Sequence, residues 1–345
     1  MTNFLIISIL IWPFGQLLQL TPIGSSLRLQ LLDLFSILVF FSVFIPVESR
    51  NKSTKDPLFK PLVMFVSTAA LSLLFSLSRL SQSEIISSSL YFLRFVSYLS
   101  YYFAFRAHGI KKYSRYFLLS AVVFLALGFL QYLIFPDVRF LKYLGFDDHY
   151  FRLIGTFLDP NFTGLVLVVM TLLAPKLFYV PLLALALTFS RASFLSLAAG
   201  LLYLSLAQKK YKILSLLLLL GVLLYFIPKP FGEGVNLTRT FSIVSRLDNQ
   251  MSALDLFSKN PLLGVGFNST KIDNSFIFIL ATTGSIGFVA FVFFLKKAWQ
   301  LTTNPLAKAS ILAIFVHSLF NNSFFYSSIL VLFLLLLNSP PNKST

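Results

Sequence analysis

The feature that most constrains this chain is a series of apolar stretches, each roughly 15 to 22 residues long, separated by short polar loops rich in Lys and Arg. A run of that length matches the hydrocarbon thickness of a bilayer. Backbone groups inside lipid must be satisfied within the segment, so such runs are expected to be helices. The composition agrees: 57% of the 345 residues are hydrophobic, only 12% are charged, and 41 are Phe. A soluble domain typically carries about 25% charged residues and could not hide so much apolar surface. The expected class is therefore an all-α polytopic membrane protein, one transmembrane domain over residues 1–345, without visible internal repeats.

About twelve candidate spans can be drawn from run length. They lie near Phe4–Leu20, Leu29–Val47, Leu58–Leu77, Ile85–Phe105, Tyr116–Phe135, Phe162–Ala174, Leu177–Phe189, Ala192–Ala207, Ile213–Ile227, Asn274–Leu295, Leu306–Phe320 and Tyr326–Leu337. The sixth and seventh are short enough to form one re-entrant unit. The first lacks a basic leader and a small-residue cleavage site, so it is expected to be retained. Lys and Arg in short loops favour the cytoplasm. Arg50, Lys52 and Lys55, then Arg106, Lys111, Lys112 and Arg115, then Lys209, Lys210 and Lys212, then Lys296, Lys297 and Lys308 all fall on one side of this topology. Both termini are thereby expected in the cytoplasm, and the two longest loops, Pro136–Asn161 and Pro228–Ile272, outside. Residues 228–272 form the larger extracytoplasmic subdomain, which should hold a short amphipathic helix with Leu247, Met251, Leu254 and Phe257 on one face.

The net charge of +16 is spread in short blocks between apolar runs, which fits membrane topology better than a nucleic-acid partner. The outer loops are also basic, with Arg139, Lys142, Arg152, Lys229, Arg239, Arg246, Lys259 and Lys271, and Arg191 at a span end. An anionic ligand is the economical reason. The chain has no Cys, and its three His are scattered, so no metal site is expected and no cofactor is implied.

Three stretches carry candidate chemistry. In Phe151–Gly164, Asp159-Pro160-Asn161 reads as a helix entry with Asn161 able to cap, and Arg152 just upstream suits phosphate. Capping alone would account for the turn. In Leu187–Gly200, Ser190-Arg191 interrupts an apolar hairpin; Arg191 either snorkels to headgroups or forks onto pyrophosphate. In Ser245–Leu295, the amphipathic segment ends before Pro261, Gly264 and Gly266 permit a tight return, and Asp273-Asn274 opens the tenth span. Asp273 is there either a plain helix-start carboxylate or a reactive one. Arg94, in the middle of the fourth span, needs an interior partner that the sequence does not name. His317, near Asn321 and Asn322, reads chiefly as a hydrogen-bonded core His.

The ordered segments RLIGTFLDPNFTG, LTFSRASF and SRLDNQMSALDLFSKNPLLGVGFNSTKIDNSFIFILATTGSIG resemble the O-antigen ligase and polymerase superfamily of bacterial membrane glycosyltransferases. The resemblance covers about the second half of the chain. It implies a GT-C-like, metal-independent enzyme of the bacterial cytoplasmic (inner) membrane. Its donor would be an undecaprenyl-pyrophosphate-linked oligosaccharide, and its acceptor either another glycan or lipid A core. Ligases of this family typically open the tenth span with His-Asn, where this chain has Asp273-Asn274; that departure favours polymerase over ligase.

On this reading Asp273, Arg191 and Arg246 are the expected catalytic residues. Arg152, Arg239, Asp159, Asn161 and Asn274 are expected to bind substrate. The contrasting reading, a flippase or transporter of lipid-linked sugar, would call for repeated halves with interrupted midplane helices, and the sequence shows neither. Membrane lipids are expected partners, and the sequence carries no signal of oligomeric state.

Overall fold

A computed structural model describes residues 1–21, 28–174, 178–229 and 233–340. Among these the chain runs through α1 (Thr2–Ile11), α2 (Leu31–Phe44), α3 (Val47–Thr54), α4 (Phe59–Ser76), α5 (Gln82–His108), α6 (Ser114–Ile134) and α7 (Pro160–Leu173). It continues through α8 (Tyr179–Thr188), α9 (Arg191–Gln208), α10 (Ser215–Phe226), α11 (Phe241–Lys259), α12 (Ser275–Leu301), α13 (Pro305–His317) and α14 (Ser327–Leu336). The only β-pairing among the described residues is two isolated bridges, Gln19 with Gln30 and Asp137 with Tyr150.

Every one of the twelve expected apolar stretches falls on a helix; the start of the seventh, Leu177, lies outside the described residues, as does part of the 228–272 loop. Fewer of these helices are long. Phe59–Ser76, Ile110–Ile134 and Ser275–Leu301 have the length and apolarity to cross a bilayer, and α2 with α3, bent by 90°, would make a fourth. Thr2–Leu18, Pro160–Leu173, Tyr179–Thr188, Tyr211–Phe226, Pro305–His317 and Ser327–Leu336 are shorter apolar helices, because their runs are broken. After α1 the chain tightens into a 3-10 helix, Trp12–Leu18, in which Gly15 has φ +50. Residues 318–326 turn between α13 and α14. The result is a multi-pass helical membrane protein in which, among the described residues, three helices, or four with the bent pair, are long and apolar enough to cross a bilayer.

A further break lies in α12. Gly284 has φ +68, a conformation that costs glycine little and other residues much. Residues 261–266 pack into the gap: Ser285 N–H donates to Pro261 O at 2.8 Å, while Val265 and Gly266 N–H groups donate to Ala281 O (3.0 Å) and Thr282 O (3.1 Å). The inserted segment therefore supplies partners to main-chain groups beside the break, as apolar surroundings require. A Cβ at Gly284 would collide with the Leu262 carbonyl, and one at Gly264 with the Thr282 backbone. Next to this joint an aromatic cluster of Phe65, Phe95, Phe267, Phe278, Phe291 and Phe325 closes the core, with ring centroids 4.8–6.5 Å apart.

Arg94 finds its partner on α2. Its guanidinium lies 2.5 Å from Asp33 Oδ2, and Asp33 also accepts from Tyr98 Oη (2.8 Å) and Gln30 N–H (2.6 Å). This pair pins α5 to α2 inside the core.

Candidate active site

Two helix N-termini meet at one polar cavity. Asp159 caps α7, accepting from Asn161 N–H at 2.6 Å and Phe162 N–H at 3.2 Å, with Pro160 as the first helical residue. Asn161, expected as the cap, is instead inside the helix, because Pro160 as first helical residue fixes the entry two residues earlier than a cap at Asn161 would need. The Asn161 side chain turns sideways to accept from Ser190 Oγ at 2.9 Å. Ser190 in turn caps α9, accepting from Ser193 N–H at 3.4 Å. With Ser193 Oγ donating to Asn161 O at 3.2 Å, two hydrogen bonds lock the helix starts together, and their dipoles give the cavity between them a positive bias.

The cavity holds about 510 Å³. Of the eight residues singled out in the sequence, Arg152, Asp159, Asn161, Arg191, Arg239, Arg246 and Asp273 all line it. They come from the loop before α7, the starts of α7 and α9, the segment before α11, α11 itself and the entry to α12. The eighth, Asn274, does not line it. Asn274 caps α12, accepting from Phe276 N–H (2.9 Å) and Ile277 N–H (3.1 Å), and donates to Leu319 O at 2.8 Å. That cap bears on its neighbour: the Asp273 carboxylate is not needed to start the helix and is exposed in the cavity.

The arginines are held mainly by main-chain oxygens. Arg152 is buried and donates from Nε to Thr188 O at 2.8 Å and from its terminal nitrogen to Phe189 O at 3.4 Å, the carbonyls ending α8, where a helix dipole favours a cation. Arg191 donates to Leu237 O (3.2 Å), Arg239 O (2.8 Å) and Ser242 Oγ (2.8 Å). Arg239 donates to Gly234 O and Asn236 O, each at 2.9 Å. Arg246 donates to the side chain of Asn321 at 3.2 Å. Among the described residues no ion pair involves Arg152, Arg191 or Arg246. Their charge is therefore oriented without being cancelled by a carboxylate in direct contact.

Behind Arg246 runs a buried chain of hydrogen bonds. Asn321 turns its amide nitrogen to His317 Nε2 at 3.3 Å, and His317 Nδ1 meets Ser323 Oγ at 2.7 Å. An amide donor at Nε2 requires the tautomer that carries its proton on Nδ1. His317 is thus the hydrogen-bonded core His anticipated from sequence, and it also fixes which end of Asn321 faces Arg246.

Although Asp273 opens to the cavity, the protein around it partly desolvates its carboxyl and raises it above the usual range, against the opposing pull of Arg246 and with a smaller push from Asp147. Burial also raises Asp159, opposed by its two cap hydrogen bonds. Arg152 is pushed down to about 9 by burial and by Arg239, which leaves it charged near neutral pH. Burial and the same two cations push His149 down to about 3. His149 is therefore a neutral wall, and the positive charge of the cavity resides in the guanidinium groups.

Sequence reasoning passed over Asp147, Asp148 and His149, which line the cavity from the loop before α7. A run of three titratable residues just upstream of Arg152 was the available signal. Among the described residues no group of three or more His, Asp or Glu is placed to hold a metal ion.

Residues 177–292 match the model of the O-antigen ligase family, roughly a third of the chain. The matched segment holds α8 through the first two thirds of α12, and with them Arg191, Arg239, Arg246 and Asp273. The match makes this part of the chain similar to O-antigen ligases and supports the O-antigen ligase/polymerase superfamily. No curated protein matches the chain as a relative.

Proposed function

We propose that the chain is a glycosyltransferase of the inner membrane that polymerises a glycan carried on undecaprenyl pyrophosphate, with the polar cavity on the outer face as its active site. The observation that carries this reading is the convergence of four arginines and two helix N-termini around Asp273, a carboxylate relieved of capping by Asn274. A pyrophosphate suits such a site because guanidinium groups fork onto phosphate oxygens and stay charged at working pH.

The acceptor hydroxyl oxygen attacks the anomeric carbon. A new carbon–oxygen bond forms as the bond to the pyrophosphate oxygen breaks, and the lipid pyrophosphate leaves with the electron pair. Asp273 accepts the hydroxyl proton, a task eased by its raised pKa. Arg191 and Arg246 meet the charge growing on the leaving group. Arg152 and Arg239 shape the donor pocket, with Asp159 and Asn161 holding the helix starts in register.

The test is purified protein supplied with lipid-linked oligosaccharide. Doubled and longer glycans on the same lipid carrier are expected. Transfer to lipid A core would replace polymerase with ligase, and the absence of any new glycosidic bond would overturn both.

A further inference from the structure

The opposite end of α9 carries a second feature, independent of the reaction at the polar cavity. Helix α9 has 18 residues, about 27 Å at 1.5 Å per residue, close to the ~30 Å hydrocarbon thickness of a bilayer. Its first residue, Arg191, lines the polar cavity. Two residues past its last, Lys210 lines a groove of about 490 Å³. The two openings thus stand apart by nearly one membrane thickness.

The groove is apolar along its walls and cationic at its rim. Leu172 of α7, Leu201 and Leu204 of α9, Leu216 of α10 and Leu306 of α13 form the walls, and Lys210 and Lys212 form the rim. Both lysines are exposed, and among the described residues no ion pair involves either. Nor are they on a loose tail. The chain leaves α9 through Lys209 at φ +53, Lys210 N–H donates to Ser205 O at 3.1 Å, Ile213 N–H to Lys210 O at 3.1 Å, and Ser215 Oγ to Lys212 O at 2.7 Å.

We propose that this groove is a binding site for an anionic glycerophospholipid, with acyl chain against the leucines and phosphate headgroup on Lys210 and Lys212. A soluble anion would leave the half-buried Leu216 and Leu306 uncovered, and a zwitterionic lipid would leave the two lysines uncompensated. Cations beside a membrane surface each strengthen anionic-lipid binding by about fivefold.

Native mass spectrometry of the full chain in detergent, with phosphatidylglycerol or phosphatidylcholine added, tests the site. Phosphatidylglycerol is expected to be retained over phosphatidylcholine. The Lys210→Glu/Lys212→Glu protein should lose that preference, and Leu216→Trp, which fills the groove and spares the lysines, should lose retention. Lys296→Glu/Lys297→Glu, altering charge elsewhere, should keep both. Equal retention of the two lipids, indifference to Lys210→Glu/Lys212→Glu, equal loss in Lys296→Glu/Lys297→Glu, or displacement of the lipid by inorganic phosphate would each overturn the proposal.

Discussion

Arg94 and Arg152 are both arginines shielded inside a largely apolar helical protein, yet their charges are handled in opposite ways. Arg94 meets the Asp33 carboxylate at 2.5 Å, and Asp33 is itself held by Tyr98 and Gln30. The result is a neutral rivet between α2 and α5. Among the described residues Arg152 donates to the carbonyls of Thr188 and Phe189 and to no carboxylate. Dipoles steady a cation without cancelling its charge, so around Arg152 and its neighbours a net positive field survives into the cavity. The contrast teaches how to sort intramembrane charges: one neutralised at contact distance serves the fold, and one held by dipoles beside a cavity is available to a ligand.

The sharpest way to break that comparison is at Asp33. Asp33→Asn leaves Arg94 buried without its counter-charge and should lower stability by about 3–5 kcal/mol. Thermal unfolding in detergent reads this directly, and the Arg94→Met/Asp33→Asn double change should recover most of the loss. A small shift for Asp33→Asn alone would remove the distinction between the two regions. Arg246→Ala comes next. It should leave the unfolding temperature near wild type while lowering turnover by about 10²–10³; a protein that unfolds early with normal specific activity would move Arg246 into the class of Arg94.

The pH profile gives the smallest effect. Partial desolvation raises the Asp273 carboxyl in the folded protein, so its base form is lost as pH falls through a value above the ordinary carboxylate range. The acidic limb of activity should lie correspondingly high and disappear in Asp273→Asn, measured as rate against pH at saturating donor. The same sign makes Asp273→Asn neutral or slightly stabilising near neutral pH, because the folded state prefers the uncharged group. A clear loss of stability would show that Asp273 supports the fold.

The helices were legible because run length is a local property, and each expected stretch from Phe4–Leu20 to Tyr326–Leu337 falls on one. Their interruptions were less so. Gly15 and Gly284 look like ordinary glycines in apolar runs until another segment of chain is packed against them. Most of the cavity was legible for a similar reason: Arg152, Arg191, Arg239, Arg246 and Asp273 stand out as charges beside apolar runs. What the sequence hid depends on distant partners. Arg94 and Asp33 are 61 positions apart, and Arg246 and Asn321 are 75 apart. Which of two nearby polar residues caps a helix was equally hidden, since Asp159 and Asn161, like Asp273 and Asn274, have side chains suited to the task.

The segment 261–266 lodged in the break of α12 has one more consequence, for how this chain can vary. The stretch from Gly264 to Gly284 is a covalent loop whose two ends are stitched to each other by main-chain hydrogen bonds. Adding or deleting a residue there would slide those bonds out of register and swing Asp273 away from the arginines. The loop before α7 is tied down as well, by Val138 N–H to His149 O at 3.0 Å, Phe151 N–H to Pro136 O at 2.8 Å and Leu153 N–H to Leu187 O at 2.9 Å. Tolerance of insertions should therefore be low on both sides of the cavity's rim, in the stretch from Gly264 to Gly284 and in the loop before α7.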